Sequence, residues 1–182
     1  MRVRAVVWLA LVASALAACD SVSDTPPAPR AISDARQSAP DALIGTWILD
    51  VAKSTYAGQP PRSQIRTFDY TRDGLVLCTY RSENAAGVSS LNHWYTSFDG
   101  TYHPDFTRSA GATAFELIAI QKIDDYRMEI KIRHTDARRE FGTFTISEDG
   151  QTLTQLLTTI PPEGRETTNV AVFSKQPPTA GS

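Results

Sequence analysis

Two thiols, three imidazoles and the Asp124-Asp125 doublet are the side chains of this chain whose type and spacing could begin a reaction. Cys19 closes the tetrapeptide Leu16-Ala17-Ala18-Cys19 at the end of an apolar N-terminal run. Tiny side chains before a thiol let a peptidase hold the chain extended and leave the sulfur free to accept a substituent. Cys78 stands among Leu75, Val76, Leu77 and Tyr80, the surroundings of a small buried hydrophobe rather than of a reactive thiolate. His93, His103 and His134 are scattered, with no Ser or Cys placed against them, and no Gly-x-Ser-x-Gly occurs. Their spacing gives no ligand cluster, so neither a metal nor a cofactor is expected. Asp124-Asp125 would suit paired acid–base work, but it falls between two β-rich runs and reads as a solvated turn. Ser109-Ala110-Gly111-Ala112 is too slight for a phosphate cradle. No catalytic residue is assigned, and the chain reads as a protein that is not an enzyme.

Arg2 and Arg4 precede the apolar stretch from Ala5 to Leu16, and Ala17 and Ala18 follow it. The stretch is shorter than the roughly 20 apolar residues of a membrane-spanning helix. Its end resembles the lipobox of bacterial lipoproteins, with the match on Leu16, Ala17, Ala18 and Cys19. That resemblance implies cleavage after residue 18, a diacylglyceryl thioether and further acyl chains such as palmitate on Cys19, and the lipid bilayer as partner. Several acyl chains anchor stably where one does not, since each buried methylene contributes about 0.8 kcal/mol. An aspartate after the cysteine, here Asp20, resembles an inner-membrane retention signal. The expected location is the bacterial envelope, lipid-anchored and facing the periplasm. A plain secretory signal cut at Ala15-Leu16-Ala17 is the other reading of the same residues.

The chain carries 18 basic and 20 acidic side chains, and loss of Arg2 and Arg4 with the signal leaves a net charge of −4. There is no basic run, so nucleic acid is not an expected partner. Residues 19–41, with Thr25-Pro26-Pro27-Ala28-Pro29, read as a lipidated cysteine and an extended spacer. Residues 176–182 read as a tail, and 42–175 as one domain that must stand without an internal disulfide.

Period-two alternation runs through that domain. Tyr126, Met128, Ile130, Ile132 and His134 share one face, and Arg127, Glu129, Lys131 and Arg133 the other. Turn signals recur at Asp73-Gly74, Asn84 to Gly87, Asp99-Gly100, Asp124-Asp125, Asp136 and Asp149-Gly150. Strands are predicted near 44–51, 64–72, 75–83, 88–98, 114–123, 126–134, 138–147, 151–159 and 168–175. Ala52 to Ser63 and Tyr102 to Thr113 hold prolines and glycines and are predicted as longer rim loops. Short hairpins in series leave two bare edges unless the ends meet. The predicted fold is therefore all-β, an antiparallel up-and-down barrel of eight to ten strands, with a two-sheet sandwich as the alternative.

Gly45-Thr46-Trp47 on the first strand resembles the opening of the lipocalins and the wider calycin group, where a tryptophan plugs one barrel end. Leu49, Ala52-Lys53-Ser54 and Pro60-Pro61 extend the likeness to short bacterial exported proteins described as lipocalin-like, mostly of unassigned function. His93-Trp94-Tyr95, Asp99-Gly100, Tyr102 with Pro104, Asp149-Gly150, Thr152-Leu153-Thr154 and Asn169 to Phe173 continue it along the domain. The resemblance implies a barrel plugged by Trp47, an exported location and no catalytic residues. Two features depart from lipocalins: there is no Thr-Asp-Tyr motif, and no arginine near the last strand caps Trp47. Lys175 lacks the planar guanidinium.

Strands 91–97 and 152–159 mix Thr, Ser, Gln and Tyr with apolar residues, which a ligand-holding barrel tolerates better than a solid one. Trp94, Tyr80 and His134 are the candidate ligand contacts, although strand aromatics ordinarily pack and His134 reads first as a rim histidine bonded to a neighbour or water. The expected function is binding of a small apolar or amphipathic molecule, or a lipid, in the barrel. The alternative is a protein-interaction or envelope-assembly accessory that uses the exterior. An enzyme would need a titratable cluster at the mouth, with His134 and a nearby acid as its core.

Overall fold

The computed structural model describes residues 39–109 and 112–177. Alternation of buried and exposed side chains builds ten strands: β1 Gly45–Leu49, β2 Ser63–Tyr70, β3 Val76–Glu83, β4 Ser89–Thr96, β5 Asp99–Ser109, β6 Ala112–Lys122, β7 Arg127–His134, β8 Arg139–Ile146, β9 Thr152–Ile160 and β10 Thr167–Lys175. Each pairs antiparallel with the next, and β1 also pairs with β10 through Trp47 with Lys175 and Leu49 with Phe173. The sheet is thus a closed barrel with no free edge. This is the all-β, lipocalin-like architecture expected from the hairpin pattern. Strand β7 shows the cause most plainly: Met128, Ile130 and Ile132 are buried while Arg127, Lys131 and Arg133 are exposed. Tyr126, read onto the buried face, is 44% exposed because it lies in the turn before that strand.

The prediction of a loop from Tyr102 to Thr113 is corrected. Strands β5 and β6 run through it, paired from Tyr102–Ala119 to Ser109–Ala112. Pro104 argues against a two-sided strand because it lacks an N–H. Here the β4–β5 ladder ends at the Trp94–Asp105 pair, and Pro104 is the next residue, where only β6 remains paired. Asp99-Gly100 likewise belongs to β5; the reversal is made by Ser97 and Phe98, the latter at φ 60°. The other long connection, residues 50–62, is not strand. It carries a 3₁₀ turn, Val51–Lys53, and then docks on β10 through a Thr55–Val170 bridge and the Ala57 N–H donating to Asn169 Oδ1 at 2.9 Å.

The two barrel ends differ. At one, Trp47, Phe68, Phe144, Phe173, Met128 and Leu153 fill the interior without solvent exposure above 1%, and Phe68 packs edge-on against Trp94 and Phe144. A 3₁₀ turn, Asp41–Leu43, seals this end, with Trp47 Nε1 donating to the Leu43 carbonyl at 2.8 Å. Lys175 does cap Trp47: its Nζ lies 5.1 Å from the ring centroid and donates to the Ala42 carbonyl at 2.7 Å. Its stem passes Gly45, where a Cβ would stand 3.1 Å from Lys175 Cε and where φ is +127°. A flexible lysine stem over a glycine thus does what a planar arginine was expected to do. The other end is the mouth, bounded by the β3–β4, β7–β8 and β9–β10 hairpins.

Candidate binding cavity

Below the mouth the interior stops being apolar. Strands β2, β3, β5, β6, β8 and β9 turn Arg66, Tyr80, Asp105, Glu116, Glu140 and Gln155 inward around a cavity of about 230 Å³. Trp94, Ile118, Ile132, Phe144 and Leu157 supply its apolar wall. The volume lies below the range of pockets that hold drug-sized ligands, roughly 300–1,000 Å³. Tyr56 and Pro61, from the connection docked on β10, border it near the mouth, where a rim segment was expected.

Arg66 is 4% exposed. Its Nη2 donates to Gln155 Oε1 at 3.2 Å, a bond across the barrel from β2 to β9. The guanidinium carbon lies 4.8 Å from the Tyr80 ring centroid, 5.1 Å from that of Phe173 and 5.2 Å from that of Phe144. Its Nε has no hydrogen-bond partner, and no carboxylate among the described residues lies within 4.0 Å of the group. A buried cation held by rings and one amide is an uncommon arrangement, because desolvated charges are normally paired.

Asp105, 2% exposed, is its counterpart. The carboxylate makes no hydrogen bond or ion pair among the described residues, and Oδ1 is sealed from solvent. Burial, reinforced by Glu116 and Glu140 and opposed by Arg66, pushes its pKa up to about 7. Asp105 and Glu116 are direct cross-strand partners, and like charges so placed destabilise a sheet. Burial also raises the Tyr80 hydroxyl well above the ordinary tyrosine range, with Asp105 adding to the effect.

His134 sits behind the acids rather than in the wall. Its side chain is 5% exposed; Nδ1 donates to Glu116 Oε1 at 2.5 Å, and Nε2 lies 3.4 Å from Glu140 Oε1. Arg138 Nη2 stands 2.9 Å from the same Nδ1 and 3.7 Å from Glu116 Oε1, so its charge faces the shared carboxylate. Thr159 Oγ1 donates to Glu140 at 3.1 Å. The arrangement braces two cavity carboxylates. No serine, threonine or cysteine side chain is bonded to His134 among the described residues, and no three of His, Cys, Asp and Glu converge there to hold a metal.

Of the three candidate contacts, Trp94 and Tyr80 line the cavity and His134 supports its lining. Cys19 lies outside the described residues. Cys78 is fully buried, and burial pushes its thiol up to about 12. Asp124 accepts the Tyr126 N–H at 2.8 Å and Asp125 pairs with Lys122 at 2.7 Å, both as turn residues. Arg66, Asp105, Glu116, Glu140 and Gln155 were not singled out in the sequence. The alternation of Gln64, Arg66, Phe68 and Tyr70 was the available signal for Arg66; Asp105 lay in the segment misread as loop. No protein-family model matches the chain, and neither does any curated protein.

Proposed function

We propose that this is a lipid-anchored binding module of the bacterial envelope, of the lipocalin-like exported type, holding a small amphipathic molecule inside its barrel. The observation that carries the reading is Arg66, a buried cation with an unpartnered Nε in the lining of the barrel cavity. Leaving such a group unsatisfied costs several kcal/mol, and a bound molecule with an acceptor removes that cost. The small volume and mixed lining favour a compact amphipathic ligand over a long acyl chain. The outer face of β7, with Arg127, Glu129, Lys131 and Arg133, is unlike the apolar belt of a membrane-spanning barrel. Attachment through acylated Cys19, with Asp20 favouring the inner membrane and the domain in the periplasm, fits that charged face of β7. Binding is favoured over catalysis because His134 is bonded to Glu116 through Nδ1 and to no serine, threonine or cysteine side chain among the described residues.

Native mass spectrometry of the protein purified from its host tests the reading. A co-purifying small molecule, lost in Arg66→Met, is expected. Bare protein in repeated preparations, with no uptake of small amphipathic probes, would overturn it and shift weight to an accessory that works through its exterior.

A further inference from the structure

The cavity is not simply cationic. Arg66 lines it from β2, while Asp105, Glu116 and Glu140 line it from β5, β6 and β8. Arg66 and Asp105 stand on β2 and β5, and the inward side chains of Tyr80 on β3 and Trp94 on β4 lie on the two strands between them. Each is at least nine-tenths buried, and each keeps an unsatisfied polar atom. They do not pair with each other, although a direct salt bridge would relieve both. Both line the same cavity.

Resting on the binding reading above, we propose that the ligand is a small zwitterion: its anionic group accepts from Arg66 beside Gln155, and its ammonium donates to Asp105. The short aliphatic part lies over Tyr80 and Trp94. A monopolar ligand satisfies the cavity poorly. An anion on Arg66 would add negative charge to a space that already holds three carboxyl groups. A cation at Asp105 would leave the guanidinium unpaired. A zwitterion adds no net charge and satisfies both buried groups, and the neighbouring Trp94 adds aromatic surface to the cavity wall. Discrimination would come from whichever buried group is left unsatisfied, the strongest source of selectivity a polar site has.

The test is a matched set of probes titrated into the wild-type protein by calorimetry: ε-aminocaproate and γ-aminobutyrate, caproate and butyrate, hexylamine and butylamine. At least one amino acid is expected to bind tenfold or more tighter than both of its monopolar counterparts. Arg66→Met should reduce that amino acid to the affinity of its amine, and Asp105→Asn to that of its acid; the wild-type comparison stands even if a variant fails to fold. An acid or an amine that matches its amino acid would overturn the zwitterion inference while leaving the binding reading intact. Binding of none of the six overturns it as well, and the co-purification experiment then decides the binding reading separately.

Discussion

Asp105→Asn separates the electrostatic cost of the cavity from its packing. The wild-type carboxyl moves from an ordinary value of 3.8 to about 7 on folding. Between those values the folded protein binds more protons than the unfolded chain, so stability falls as pH rises through the window. The groups facing Asp105 are Arg66 on β2, Tyr80 on β3, Glu116 on β6 and Glu140 on β8, with His134 on β7 behind the acids. For a folded value near 7, linkage gives a loss of about 2.5 kcal/mol from this one group between pH 5 and pH 8. The asparagine variant lacks that loss. The variant-minus-wild-type difference in unfolding free energy should therefore rise by about 2.5 kcal/mol from pH 5 to pH 8. Any packing change from the amide cancels in the comparison. Urea unfolding measures it: with slopes of about 1–3 kcal/mol per molar, the gap between the two midpoints should change by about 0.8–2.5 M. A difference that stays constant from pH 5 to pH 8 would mean that Asp105 is already ionised across that range, and would refute the burial argument.

Gly142→Ala should prevent folding or cost more than about 3 kcal/mol by urea unfolding, because a Cβ there would lie 1.8 Å from the Leu156 carbonyl oxygen, which belongs to paired backbone; a cost under 1 kcal/mol would mean that β8 and β9 are not so close. Trp47→Ala should cost about 3–5 kcal/mol, since a side chain with no exposure plugs the sealed end, and thermal unfolding checks it. Cys78 should resist thiol reagents at pH 8 until urea unfolds the barrel; immediate labelling of native protein would contradict its full burial. Cys19→Ser should abolish labelling by radioactive palmitate and move the protein from the membrane to the soluble fraction.

The barrel was legible because its causes are local: alternation in β7 and Asp-Gly turns at 73–74 and 149–150 predict hairpins without any tertiary knowledge. Strand β5 was hidden because Pro104 argues against a strand unless one knows that the neighbouring ladder ends at Asp105. The cavity was half legible. Trp94 and Tyr80 stand out as aromatic residues on strands, and the polar mixture around them hints at an imperfectly filled interior. Arg66 and Asp105 did not stand out, because a charged residue in a strand is ordinarily assigned to the wet face. Only closure of the sheet, which brings β2 within bonding distance of β9, makes that assignment wrong. The capping of Trp47 by Lys175 was hidden for a similar reason: it depends on a lysine stem threading past Gly45, a contact between the first and last strands.

The most direct test is the Arg66 Nε–H signal in a proton–nitrogen correlation spectrum, recorded on protein as purified from its host and again after unfolding, dialysis and refolding. An occupied cavity gives two different positions, with the original restored on adding back the dialysate. The same position in both samples would mean that nothing had been bound to the guanidinium, contradicting the account at its centre.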